Sequence, residues 1–147
     1  MLGRWVSDLE AGDELPDVIY ELTPFAVREY CHGVEETWER FHQAVGDRPQ
    51  VAPPTMVHLD KLRVLAAGCP EGAGPAARMQ LEYAARHFAE VEAGTRLRAS
   101  GHVAERSERN GRERLLLVFE LHDADTDRLL TRYRDVSLLN FRPRDDG

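Results

Sequence analysis

The segment of residues 54–67 limits the fold of this chain more than any other. Its apolar side chains point in nearly every direction around a helical wheel, which is typical of a helix surrounded by other structure. They are Met56, Val57, Leu59, Leu62, Val64, Leu65 and Ala66. Two prolines and a threonine suit the start of such a helix, and Gly68 and Pro70 suit its end. The sequence therefore predicts a buried central helix over this segment.

The polar side chains of that helix need a separate explanation. His58, Asp60, Lys61 and Arg63 all lie within it, and an unpaired buried charge costs several kcal/mol or becomes neutral. One interpretation is a network of hydrogen bonds or ion pairs among these residues. The alternative is that His58 and Asp60 face an opening and take part in acid/base chemistry.

Alternation of apolar and polar side chains indicates strands in the second half of the chain. Two alternating runs flank Asn110-Gly111, which predicts a long hairpin. Further strands are predicted at residues 79–88 and 129–141, with a sheet edge at 18–22. A curved antiparallel sheet of four or five strands would cover the central helix on most sides, so the expected class is α+β.

The first half of the chain reads as mainly helical. A Thr23-Pro24 start predicts a helix over residues 24–32, and aromatic residues at three-residue spacing predict a second short one over 37–45. A Gly/Pro-rich break at 68–75 separates this half from the strands. We expect one domain over residues 1–147, in which 1–16 form an N-terminal arm and 78–141 form the main sheet.

Composition excludes several classes of function. The 19 basic and 26 acidic side chains give a net charge of −7, which argues against nucleic-acid binding because phosphate contacts need a basic surface. Two cysteines without CxxC spacing indicate neither a metal site nor a disulfide scaffold, and they fit a reducing cytoplasm. No run approaches the ~18 apolar residues of a membrane span, and acidic residues near the start argue against a signal peptide.

Four runs of the sequence together resemble a known family. They are GDELPDVIYELTPFAVREY at 12–30, VAPPTM at 51–56, the run 81–123 that contains GTRLRASG, and TRYRDVSLL at 131–139. This combination resembles the hotdog fold, and specifically the MaoC-like acyl dehydratases and the N-terminal halves of related two-module enzymes. The resemblance implies a single hotdog domain, in which a curved antiparallel sheet wraps one long central helix.

The resemblance also implies where the catalytic groups belong. Family members that hydrate or dehydrate acyl thioesters use an aspartate, followed five positions later by a histidine, on a loop that overhangs the acyl tunnel. In this sequence Glu36 occupies the aspartate position, Trp38 replaces a common asparagine, and Phe41 occupies the histidine position, with His42 one place further. Glu36 and His42 are therefore either an altered acid/base pair or an ordinary loop glutamate and surface histidine.

The start of the central helix is the expected binding site for the thioester carbonyl. Backbone N–H groups near Thr55 to Val57 carry partial positive charge there, and Pro53 and Met56 lie beside them in the sequence. The same positive charge disfavours an imidazolium, so a histidine on the first turn should be neutral at pH 7. Trp38 and Phe41 either line the acyl site or simply pack in the core.

Four functions compete on this basis. The leading hypothesis is a dehydratase or hydratase acting on acyl or polyketide thioesters, with Glu36, His42, His58 and Asp60 as a divergent acid/base set. The others are a non-catalytic subunit of a dyad-bearing partner, a tailoring cyclase of polyketide biosynthesis, and a thioesterase that uses Asp60. The expected ligand is an acyl-coenzyme A, an acyl-carrier-protein thioester or a polyketide-like molecule, without a cofactor or metal. A free sheet edge predicts a homodimer or a hotdog heterodimer.

Overall fold

The computed structural model describes residues 5–74 and 77–141 and contains one antiparallel sheet packed on a helix. The strands are β1 (Glu14–Glu21), β2 (Ala77–His87), β3 (Arg96–Arg109), β4 (Arg112–Asp123) and β5 (Leu129–Phe141). The helices are α1 (Pro24–Gly33) and α2 (Val57–Gly68), with short 3-10 turns at Val6–Asp8, Glu39–Phe41 and Pro54–Met56. The sheet order is β1-β3-β4-β5-β2, so β1 and β2 form its two edges. The predicted α+β hotdog architecture is confirmed.

Glycines shape the sheet at two positions. Asn110 and Gly111 both adopt positive φ, of 54° and 73°, which gives the two-residue turn that the sequence predicts between β3 and β4. Gly101 lies where two layers approach closely, because a Cβ atom there would stand 2.7 Å from Cδ1 of Phe119. A side chain at Gly101 would therefore displace Phe119 on the inner face of β4.

The N-terminal arm is shorter than predicted. We expected an arm over residues 1–16 and a sheet edge at 18–22, but β1 begins at Glu14 and pairs with β3 from there. The register shifts between Leu15 and Val18, around Pro16. Since proline has no N–H to donate, strands accommodate it at an edge or a bulge, and β1 does both. The sheet therefore extends beyond the predicted 78–141.

The predicted helix over residues 37–45 is wrong. Only a 3-10 turn forms, at Glu39–Phe41. The carbonyl of Arg40 accepts from the N–H of Val51 at 2.9 Å, and the carbonyl of Phe41 accepts from the Gln50 side chain at 2.8 Å. These carbonyls would have continued a helix, so tertiary partners end it after one turn.

The central helix is buried on one face only. Its buried positions are Val57, Asp60, Lys61, Val64, Leu65 and Gly68, at helical spacing. His58 and Ala66 are exposed, and Leu62 between them is 43% exposed. The expectation that the sheet covers this helix on most sides is therefore wrong for the single chain, because the sheet packs on one side and leaves a stripe of α2 open.

Two observations bear on the expected environment. Both cysteines, Cys31 and Cys69, are buried free thiols. Within residues 5–74 and 77–141, no helix is long and apolar enough to cross a membrane.

Candidate active site

Two of the three backbone donors that the sequence suggested at the start of α2 are already in use. Two consecutive prolines lead into a 3-10 turn, in which the N–H of Met56 donates to the carbonyl of Pro53 at 3.0 Å. The N–H of Val57 likewise donates to the carbonyls of Pro54 and Thr55. The N–H groups of Met56 and Val57 are therefore not free to bind a carbonyl oxygen. The positive end of the helix dipole still lies at this point and favours negative charge on a ligand.

A cavity of about 510 Å³ opens between the start of α2 and the strands β2 and β5, and it is named the polar cavity below for the hydrogen-bonding side chains on its otherwise mainly apolar wall. Its polar lining comes from His58, Gln80, Tyr133, and the hydroxyls of Tyr30 and Thr55, whose oxygens lie 2.8 Å apart. These hydroxyls lie at the helix start, where one donates to the other and the accepting one keeps its own proton for a bound carbonyl oxygen.

An apolar cavity of about 360 Å³ adjoins the polar one. Trp38, Phe41 and Phe88 supply much of its wall. Pro54 and His87 line both cavities, so the two lie side by side, and together they are named the cleft below. Such a cleft suits a ligand with a polar reacting group and an apolar tail.

His58 lies on the first turn of α2, at the wall of the polar cavity. Its Nδ1 is 3.4 Å from the hydroxyl oxygen of Tyr133. Although His58 is partly exposed, the protein around its ring removes some water and so lowers its pKa, the nearby positive charge of Lys61 lowers it further, and Asp135 opposes the shift. The imidazole is therefore neutral at pH 7 and able to accept a proton.

At the wall of the polar cavity lies a cluster of polar side chains, all of them buried except Gln80. Lys61 Nζ binds Asp135 Oδ2 at 2.9 Å, and these side chains are only 2% and 0% exposed. Ser137 Oγ donates to Asp135 Oδ1 at 2.6 Å. Gln80 Nε2 donates both to Asp135 Oδ2 at 2.5 Å and to the Tyr133 hydroxyl at 2.8 Å. This cluster, named the floor cluster below, comprises Lys61, Gln80, Tyr133, Asp135 and Ser137.

Asp60 has partners of its own and does not bind His58. Its Oδ1 accepts hydrogen bonds from the Tyr20 hydroxyl and, at 3.0 Å, from Arg63 Nη1. Burial raises the pKa of Asp60, while the hydrogen bond from Tyr20 and the charge of Arg63 lower it. Asp60 borders only a narrow gap of about 20 Å³, together with Pro53 and Met56. The interpretation as an internal network therefore fits Asp60 better than it fits His58.

Glu36 and His42 lie together on the loop after α1, but not in the cleft. The Glu36 carboxylate accepts from the N–H groups of Thr37 and Trp38, both at 3.0 Å. His42 Nε2 is 2.8 Å from the backbone carbonyl oxygen of Glu36. The pair lines an open depression beside Cys31, so the structure brings it neither to His58 nor to Asp60.

The same loop supplies an aromatic wall to the apolar cavity. Trp38 and Phe41 pack edge to face with ring centroids 4.7 Å apart, and Trp38 is 50% exposed. Arg40 between them is buried and binds Glu90 at 2.9 Å and the carbonyl of Pro49 at 3.0 Å. The hydrogen bond from Arg40 lowers the pKa of Glu90. The ion pair between Arg40 and Glu90 therefore links the loop to the segment after β2.

Sequence reasoning missed most of the floor cluster. The signal was present in β5, where both alternating rows of side chains contain polar residues. The inward row is Thr131, Tyr133, Asp135 and Ser137, all buried, and the outward row contains Arg132 and Arg134. A buried row that is polar throughout is rare, because each member needs a partner. The sequence did not single out His87 either, which lines both cavities.

Several solved structures share this fold. The HadBC (3R-hydroxyacyl-ACP dehydratase) complex from Mycobacterium tuberculosis matches with a TM-score of 0.75 at 17% identity, covering 87% of this chain and 96% of that one. The R-hydratase PhaJ1 from Pseudomonas aeruginosa matches with a TM-score of 0.74 at 12% identity, covering 98% and 97%. A MaoC-like dehydratase from Rhodospirillum rubrum matches with 0.68 at 12%, covering 95% and 99%.

These likenesses establish the class of fold. No protein-family model and no curated protein sequence matches the chain, and at such low identity the structures show the fold alone. The chain is a single hotdog fold of the kind found in MaoC-like dehydratases and R-hydratases. The resemblance stated from the sequence is confirmed at this level.

Proposed function

We propose that this protein is a hydro-lyase that interconverts 3-hydroxyacyl and 2-enoyl thioesters. The observation that carries the proposal is the cleft, in which a cavity walled by aromatic side chains lies beside one that is lined by several hydrogen-bonding side chains and by a histidine of lowered pKa. The proposed ligand is an acyl group carried by coenzyme A or by an acyl-carrier protein. A location in the reducing cytoplasm stays a prediction, supported by the two free thiols.

In the proposed complex, each part of the substrate contacts a different part of the cleft. The acyl tail lies against Trp38 and Phe41, and the thioester carbonyl lies at the start of α2, near the hydroxyls of Tyr30 and Thr55. Cα then lies beside His58, which accepts its proton in the direction of dehydration. The positive end of the helix stabilises the negative charge that develops on the carbonyl oxygen.

The test is hydration of crotonyl-coenzyme A and of longer 2-enoyl thioesters by the purified protein. We expect turnover, and we expect His58→Gln to lower it by roughly 10²-fold or more, the usual contribution of a positioned proton carrier. Glutamine keeps the size and the hydrogen bonding but cannot cycle a proton. His102→Gln is the matched control, because His102 is exposed on β3.

The outcomes separate catalysis from structure. If His58→Gln melts like the parent and loses turnover, His58 is catalytic. If it unfolds earlier yet works normally while folded, His58 has a structural role. A wild-type protein that hydrates no thioester would contradict the hydro-lyase.

A second candidate is a subunit that pairs with another hotdog chain. Among the strands of residues 5–74 and 77–141, the edge strand β2 pairs with β5 alone, and its Leu81 and Tyr83 are 39% and 65% exposed. An unpaired edge of this length invites a second strand, and one similar structure is itself a complex, HadBC. Pairing of two β2 edges would give a homodimer or a heterodimer.

Light scattering at micromolar concentration tests this pairing. We expect twice the 16.7 kDa of one chain. A monomer that hydrates no thioester until a dyad-bearing hotdog chain is added would favour the subunit. A tailoring cyclase in the same cleft is the remaining alternative, and turnover of a polyketide without loss of water would favour it.

A further inference from the structure

The hydroxyl of Tyr133 is the second reactive group on the wall of the polar cavity, and its surroundings direct its proton. Gln80 Nε2 donates a hydrogen bond to this oxygen over 2.8 Å, and His58 Nδ1 lies 3.4 Å away. Because an amide nitrogen only donates, it occupies a lone pair of the hydroxyl oxygen. The phenolic proton therefore points away from Gln80, toward His58 or into the cavity.

A buried ion pair sets the orientation of the Gln80 amide. The second N–H of Gln80 donates to Asp135, whose charge is paired with Lys61. Rotating the amide by half a turn would place its carbonyl oxygen against the Asp135 carboxylate, and this repulsion is strong where water is excluded. The ion pair therefore keeps Gln80 as a donor, which keeps Tyr133 as a donor toward the cavity.

We propose that Tyr133 is the general acid of the dehydration and that Gln80 is its positioning residue, an inference that rests on the proposed hydro-lyase. His58 accepts the Cα proton, and the released electron pair forms the Cα–Cβ double bond as the Cβ–O bond breaks. The proton of Tyr133 converts the departing hydroxide to water. The Cα proton, held on Nδ1 of His58, then passes to the tyrosinate across their 3.4 Å contact, which restores both groups.

The surroundings of the phenol suit this task. Burial raises the pKa of Tyr133, whereas the hydrogen bond from Gln80 lowers it, so the group is protonated at neutral pH. The ring stacks on Tyr83 at a centroid distance of 5.6 Å and lies 6.2 Å from Phe119. Because these contacts involve the ring alone, Tyr133→Phe removes the proton and keeps the packing.

The experiment separates the acid from the base by using two substrates. Dehydration of 3-hydroxybutyryl-coenzyme A needs both groups, whereas exchange of the α-protons of butyryl-coenzyme A for deuterium needs only the base. We expect Tyr133→Phe to lower dehydration by about 10²-fold or more and to leave the exchange rate within a few-fold. The matched control is Tyr20→Phe, which removes a phenol that binds Asp60 and should change neither rate.

Each outcome decides the proposal. Dehydration by Tyr133→Phe at the parental rate would overturn it. Loss of exchange together with dehydration, at an unchanged melting temperature, would also overturn it, because Tyr133 would then act through His58. If the wild-type protein neither dehydrates nor exchanges, the hydro-lyase itself fails and the inference fails with it.

A second variant covers the case in which Tyr133→Phe does not fold. Gln80→Leu alters an exposed side chain on the edge strand β2 and removes the donor that aims the phenol. We expect a smaller loss of dehydration, on the order of tenfold, again with exchange retained. A merely structural role for Gln80 would lower both rates in parallel, and that result would overturn the assignment.

Discussion

Two regions of the molecule are rich in polar groups but use them differently. One is the loop that carries Glu36 and His42, and the other is the floor cluster at the cleft. The loop pair binds backbone groups at most six residues away in the chain. In the floor cluster, Lys61 reaches Asp135 across 74 residues, and Gln80 reaches Tyr133 across 53. Local contacts of the first kind shape the backbone, whereas contacts of the second kind fix side chains at the wall of a cavity.

The difference has a consequence for the reaction. The Glu36 carboxylate already accepts from two backbone N–H groups, which hold it in the turn and away from the cleft. His58 and Tyr133 instead present a lone pair and a proton to the same cavity. The proposed chemistry therefore belongs to His58 and Tyr133 at the polar cavity, although the resemblance implies the loop.

The largest expected effect concerns the ion pair of the floor cluster. Lys61→Met should lower the free energy of unfolding by about 3–5 kcal/mol, because it leaves Asp135 buried without its partner. In the loop, Arg40→Met should cost less, because its partner Glu90 is 57% exposed and can bind water instead. Urea unfolding of both variants measures the difference.

A double variant controls for lost packing. Combining Lys61→Met with Asp135→Asn removes the unpaired charge and should recover part of the stability. If Arg40→Met proves as damaging as Lys61→Met, or if the double variant recovers nothing, burial of the charge is not what distinguishes the two regions.

Sequence reasoning succeeded where structure follows a local period and failed where it depends on distant partners. The strands and the central helix could be predicted because alternation and helical spacing are local. The prediction of a helix over residues 37–45 failed because the Gln50 side chain and the Val51 N–H donate hydrogen bonds to the carbonyls that would have continued it. The partner of Lys61 could not be found for the same reason, since nothing near it in the chain identifies Asp135.

The next effect is a pH dependence of the rate that comes from His58 and the charged groups around it. The rate should be constant near pH 7 and should fall only when His58 becomes protonated, below its ordinary pKa, because burial and Lys61 disfavour the cation. Arg78 also lowers this pKa and Asp135 raises it. Arg78→Gln should therefore move the acid limb of kcat/KM to higher pH.

The loop supplies the control for that profile. His42→Gln should leave the acid limb unmoved, because His42 lies outside the cleft. A profile that moves with His42 and not with Arg78 would assign the limb to the loop. The free energy of unfolding should also fall at low pH. As the pH decreases, the unfolded chain binds a proton at His58 before the folded chain does, so the folded state loses stability.

The smallest expected effect is that of replacing the loop carboxylate. Glu36→Gln keeps an oxygen that accepts from Thr37 and Trp38, so the turn should persist, with a loss of stability below about 1 kcal/mol. Turnover of crotonyl-coenzyme A should stay within about twofold, far from the roughly 10²-fold loss that removal of a working proton carrier causes. Steady-state kinetics and thermal unfolding of this variant measure the two effects. A loss near 10²-fold without unfolding would mean that the loop moves over the cleft during the reaction, and the proton transfer would then belong to Glu36 rather than to the floor.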